Sequence, residues 1–85
     1  MRLFPHGEPI RVQPDADAAP KVFIWAGEVH RVTSIEDVRE PKLEWWAPTG
    51  EVHRVYYLVV THQGLICELY RDVAADTWHL ARVYD

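Results

Sequence analysis

The run Val52-His53-Arg54-Val55-Tyr56-Tyr57-Leu58-Val59-Val60-Thr61 is apolar or β-branched for most of its length, and turn sequences close it at both ends. Pro48-Thr49-Gly50 precedes it and His62-Gln63-Gly64 follows it. A run this short and this continuously apolar reads as a strand covered on both faces. No segment of the chain carries the spacing of a long amphipathic helix, so the strand has only other strands to pack against.

Turn signals divide the remainder in the same way. Residues 21–25 and 28–33 are β-rich and flank Ala26-Gly27, the pattern of a hairpin. A two-residue turn there sets Trp25 opposite Glu28 and Phe23 opposite His30. Phe23, Trp25, His30 and Val32 then share one face, and Val22, Ile24, Val29 and Arg31 the other. Gly64 suits the left-handed position of the loop after Thr61, and residues 65–70 form the return strand. Residues 72–76 read as a loop, residues 78–84 as the last strand and residues 43–47 as a further short one. Residues 34–42, charged and containing Pro41, read as a single helical turn or an irregular connection. Near the start, residues 8–13 read as an edge strand and residues 14–20 as an acidic, proline-bounded loop. The expected organisation is an N-terminal arm over 1–20 and a single β domain over 21–85. The expected fold is all-β: a small, strongly bent antiparallel sheet or an SH3-like barrel of five to six strands.

Eighty-five residues supply one core, and Cys67 alone cannot form an internal disulfide. The large side chains must therefore be inside, each aromatic burying roughly 150–250 Å². Phe23, Trp25, Val32, Tyr57, Val59, Leu69 and Trp78 are the predicted core. The lone cysteine points to a reducing compartment, and Met1-Arg2-Leu3-Phe4-Pro5-His6-Gly7 has no apolar signal region, so the expected location is cytoplasmic. No apolar run approaches the ~18 residues of a membrane span. The net charge of −4 disfavours a dedicated duplex binder, which would normally be basic.

The hexapeptide Gly27-Glu28-Val29-His30-Arg31-Val32 recurs as Gly50-Glu51-Val52-His53-Arg54-Val55. Two hairpins opening their return strands alike account for it; a duplicated binding surface is the sharper reading. Five histidines, His6, His30, His53, His62 and His79, are scattered without ligand spacing, so no metal and no cofactor are expected. Cys67 sits mid-strand, the position of a small buried hydrophobe rather than a nucleophile. No paired acid and base, phosphate loop or nucleophile elbow is present, and no enzymatic activity is expected. The informative residues are Trp45, Trp46, Arg54 and Tyr56. Neighbours on a strand face opposite ways, so consecutive tryptophans leave one needing outside cover. Tryptophan, tyrosine and arginine dominate binding energy at protein interfaces. Exposed aromatics beside arginine also suit single-stranded nucleic acid, the alternative function.

Several of these short motifs carry a resemblance. Glu44-Trp45-Trp46, Arg54-x-Tyr56-Tyr57, Thr61-x-x-Gly64, Glu68-Leu69-Tyr70-Arg71-Asp72 and Trp78-x-Leu80-x-Arg82-Val83-Tyr84-Asp85, with Phe23-x-Trp25-x-Gly27 and Val32 ahead of them, resemble a small bacterial family of unknown function. That family is similar to the C-terminal tail of ImuB-type inactive Y-family polymerase homologues, and its members tend to be encoded near error-prone polymerase genes. The resemblance covers residues 20–85. It implies an accessory domain in DNA-damage-associated mutagenesis that acts through protein contact, with no assigned activity. The chain departs from the pattern at His30, where the family has tyrosine, and at Ala47-Pro48-Thr49-Gly50, where it has a charged stretch. The expected function is thus a non-enzymatic protein-interaction module. Its expected partner is a translesion polymerase component or a second copy of the chain, with nucleic acid less favoured and no membrane involved.

Overall fold

The computed structural model describes residues 1–40 and 53–84. Every regular element among them is a strand: β1 (Arg2–Pro14), β2 (Pro20–Trp25), β3 (Glu28–Arg39), β4 (Arg54–Thr61), β5 (Ile66–Asp72) and β6 (Thr77–Tyr84). Neighbours in sequence are neighbours in space, all antiparallel, and β6 pairs back onto β1 to close a six-stranded barrel. The all-β small barrel is the fold observed; the segment expected at 43–47 lies outside the described residues.

Closure depends on β1. Arg2 pairs with Val83 and Ile10 with Trp78 on one side, while Arg11 pairs with Ile24 and Val12 with Phe23 on the other. The segment read as an edge strand is therefore longer and has neighbours on both sides. Its partner on one side lies at the far end of the chain, which no local pattern reveals. The β1–β6 register shifts between Leu3 and Glu8. Gly7 lies inside that irregularity at φ +72°, its α-carbon so close to the Tyr70 hydroxyl that a methyl group would overlap it.

The β2–β3 hairpin follows the expected register, with Trp25 opposite Glu28 and Phe23 opposite His30. Ala26 and Gly27 have φ of 54° and 75°, the doubly left-handed turn whose twist matches the flanking strands. Residues 34–39 depart from expectation: they extend β3 rather than forming a turn or irregular connection. Pairing with the apolar β4 supplies backbone hydrogen bonds that the charged sequence would not recruit alone, at the cost of two register shifts. The loop after Thr61 is as expected: Gly64 has φ +81°, and Thr61 N donates to Leu65 O at 2.9 Å.

Phe23, Val59, Cys67, Leu69, Leu80 and Val83 form the core, with Phe4, Ile10, Val12, Trp25, Val32 and Tyr57 packed around it. Of the predicted core, Phe23, Val59 and Leu69 are fully buried. Trp25, Val32, Tyr57 and Trp78 are only half-buried. A barrel this small has too little interior for every large ring, so these pair with each other or lie across its rim. Tyr57 meets Trp78 at 5.6 Å between ring centres, and Phe4 meets Trp25 edge-on at 6.1 Å.

Candidate ligand cleft on the outer face

Along β4, Val59 and Thr61 are buried, so the strand's alternation turns Arg54 and Tyr56 to the outside. The antiparallel register then lays a row across four strands: Arg39 beside Tyr56, Tyr56 beside Tyr70, and Tyr70 beside His79. The side chains of the row touch. The Arg39 guanidinium lies 5.0 Å from the Tyr56 ring centre, the two tyrosine rings are 5.3 Å apart, and His79 stacks on Tyr70 at 4.8 Å and 17°. Arg54 comes from the adjacent row and lies over Tyr70 at 4.6 Å, with Nη1 donating to the Tyr56 hydroxyl at 3.3 Å.

Glu68 organises the opposite side. Arg39 Nη2 donates to its Oε2 at 2.9 Å, and Arg82 Nε lies 3.5 Å from its Oε1. Arg82 in turn donates from Nη1 to the Tyr84 hydroxyl at 3.3 Å. Together these residues border an open cleft of about 490 Å³. Arg39, Arg54, Arg82 and Glu68 supply its charge, Tyr56 and Tyr70 line it, and Leu3, Pro5 and Ala81 form an apolar wall. Tyr70 is only 5% exposed, capped by the Gly7 backbone, so this ring is fixed structure rather than a mobile contact.

The electrostatics follow from that packing. The hydrogen bond with Tyr56 raises the pKa of Arg54 above its ordinary value; burial opposes this, and the fields of Tyr70 and Asp72 assist. Burial raises the Tyr70 phenol, with the Arg54 charge working against it. Arg54 Nε and His79 Nδ1 are shielded from solvent without a hydrogen-bond partner among the described residues, and Arg82 Nε has only its long ion pair with Glu68. Buried polar atoms are normally paired, so these atoms on one face mark it as unusual.

The expected contact residues divide accordingly. Arg54 and Tyr56 come together in the cleft; Trp45 and Trp46 lie outside the described residues. Sequence reasoning did not single out Arg39, Glu68, Tyr70 or Arg82 for this site. The polar–apolar alternation of Cys67-Glu68-Leu69-Tyr70 carried part of the signal, although all four side chains are buried.

The histidines have separate surroundings. His30 is buried against Phe23 at 4.9 Å, His53 pairs with Glu40, and His62 Nδ1 accepts from Arg31 N at 3.2 Å. Among the described residues no three His, Cys, Asp or Glu side chains gather as a metal site. Burial pushes the Cys67 thiol up to about 11, so it stays protonated at neutral pH.

A family model described as a domain of unknown function (DUF6504) matches residues 5–85. The chain belongs to that family. The match begins inside β1 and so takes in all six barrel strands, wider than the span over which the aromatic motifs imply a family of unknown function. No curated protein and no solved structure matches the chain at a significant level. Among the described residues no helix is long and apolar enough to cross a membrane.

Proposed function

We propose that this domain is a non-enzymatic protein-interaction module that receives its partner on the outer arginine–tyrosine face of β3 to β6. Trp45, Trp46, Arg54 and Tyr56 are the proposed contact residues. The observation that carries the reading is the convergence of Arg39, Arg54 and Arg82 with Tyr56 and Tyr70 at one outward cleft, since these residue types concentrate binding energy at interfaces. Each barrel strand already has two neighbours, so the partner meets side chains on a face and does not extend a sheet. The resemblance of the aromatic motifs to the ImuB-type tail supports a setting: an accessory role in DNA-damage-associated error-prone synthesis in the cytoplasm. The partner is a polymerase component or a second copy of the chain.

The same arginines and rings favour a second reading, a single-stranded nucleic-acid surface. Two observations weigh against it. The Tyr56 and Tyr70 rings already carry Arg39 and Arg54 where a base would stack, and the net charge of −4 repels a polyanion. A photo-crosslinking residue at position 56, in cells sampled before and after DNA damage, separates the readings. The proposal expects crosslinks to one protein, lost when Trp45→Ala or Trp46→Ala leaves the domain folded. Crosslinks to nucleic acid alone, or none at all, reject it.

A further inference from the structure

We infer that the cleft between Arg39, Arg54 and Arg82 is a carboxylate receptor, and that Arg54 is the arginine that takes the incoming group. The inference rests on the interaction reading and names the chemistry the partner must bring. The cleft already holds one carboxylate of its own: Glu68, shared between Arg39 at 2.9 Å and Arg82 at 3.5 Å. Arg71, on the same strand as Glu68, has Asp76 at 2.9 Å. Arg54 alone of these four arginines has no carboxylate within ion-pair distance among the described residues; Asp72 acts on it only through its field. Its cross-strand neighbour Asp72 instead accepts from Ala75 N at 3.2 Å, leaving Arg54 with the Tyr56 hydroxyl.

The packing prepares Arg54 for this task. A guanidinium laid on a ring uses its flat face and directs its N–H groups sideways. Nη1 of Arg54 already reaches the Tyr56 hydroxyl and Nε is shielded, so an incoming carboxylate meets the terminal N–H groups beside that phenol. Tyr70 beneath the guanidinium is held by the Gly7 backbone on one side and by His79 on another, so little side-chain freedom remains to be lost on binding. Leu3, Pro5 and Ala81 line the same cleft and suit an apolar group beside the acid. Scale and charge favour a single carboxylate over a phosphate chain. Asp37, Glu40 and Asp72 lie on the strands or strand ends flanking the cleft, and they interrupt any basic track among the described residues.

The test uses the whole chain, isotope-labelled, and follows backbone and arginine side-chain resonances by NMR. Four probes are titrated: Ac-Phe-Glu-Phe-amide, Ac-Phe-Gln-Phe-amide, Ac-Phe-Gln-Phe with a free terminal carboxylate, and a short oligothymidylate. Expected is saturable movement of the Arg54 and Tyr56 signals with the glutamate amide or with the free acid, whichever carboxylate fits. The uncharged amide should bind at least about tenfold more weakly, the range of one charge-assisted hydrogen bond. Arg54→Gln should abolish that preference, and Arg54→Lys, which keeps the charge without the planar fork, should retain only part of it. Equal binding of charged and uncharged peptides overturns the inference, as does an undiminished preference in a folded Arg54→Gln protein. A crosslinked partner that survives Arg54→Gln would reject the carboxylate site while leaving the interaction reading intact. Movement with oligothymidylate alone would reject both.

Discussion

The repeated hexapeptide gives the molecule an internal control. In the first copy, His30 is 3% exposed, stacked on Phe23 with neither ring nitrogen hydrogen-bonded, and Arg31 is exposed. In the second, His53 is half-exposed and paired with Glu40, while Arg54 is half-buried over Tyr70. The face is conserved: His30 and Val32 share the inward parity of β3, and Val55 shares the inward parity of Tyr57 and Val59 on β4. Depth is what differs. Gly27 closes a tight turn that delivers His30 to the third position of β3, deep in the ladder, whereas β4 begins only at Arg54. Identical residues therefore make a core piece once and a surface site once. The repeat marks strands that begin in chemically similar ways, and the two arginines do not form a duplicated binding surface.

The sharpest way to break this comparison is to remove what the first copy leans on. Phe23→Ala should cost about 3–5 kcal/mol in denaturant unfolding, because a wholly buried ring is lost and His30 loses its stacking partner. A cost under ~1 kcal/mol would show that the first copy is not deep. Next in size is an alkaline effect from the same core. The Cys67 thiol is held at about 11 against an ordinary 9.0, so the folded state keeps its proton more tightly than the unfolded state. The associated stability is intact below about pH 9 and falls away as pH rises through about 11, by roughly 2–3 kcal/mol. Tyr57 and Tyr70, both raised first by burial, act in the same direction. Cys67→Ala should flatten the first part of this decline in denaturant midpoints taken across that range.

Two smaller substitutions sharpen the contrast through opposite signs. His30→Leu should stabilise by about 1–2 kcal/mol, since it removes two buried polar atoms that lack partners. His53→Leu, the same change in the same hexapeptide, should cost less than about 1 kcal/mol by breaking an exposed pair. Matching signs in the two thermal melts would mean that depth does not govern the difference.

What could be read from residues alone was local. The Ala26-Gly27 and His62-Gln63-Gly64 turns carried their own backbone demands, and so the hairpin registers, the inward set around Phe23 and the outward aim of Arg54 and Tyr56 followed. The remainder depended on partners far away in the chain. Residues 34–39 look like a connection until β4 lies beside them, and Arg39 enters the cleft only through that pairing. Glu68 and Arg82 meet because Glu68 pairs with Arg82 across β5 and β6, just before that register shifts. Trp78 and Tyr57 were expected deep inside on the strength of their size, yet they satisfy each other at half burial.

The pairing of Arg2 with Val83 also sets the order of events during synthesis. Of the barrel strands, β1 is made first and can meet β2 at once, but its other neighbour, β6, is the last of the six. Contacts spanning nearly the whole chain are the slowest to form, because loop closure precedes any reward from pairing. Until Thr77–Tyr84 has emerged, β1 and β5 each present an unpaired backbone edge. The nascent domain is therefore most open to mispairing with its own copies just before β6 emerges, and a ribosome stalled inside β6 would hold it in that state.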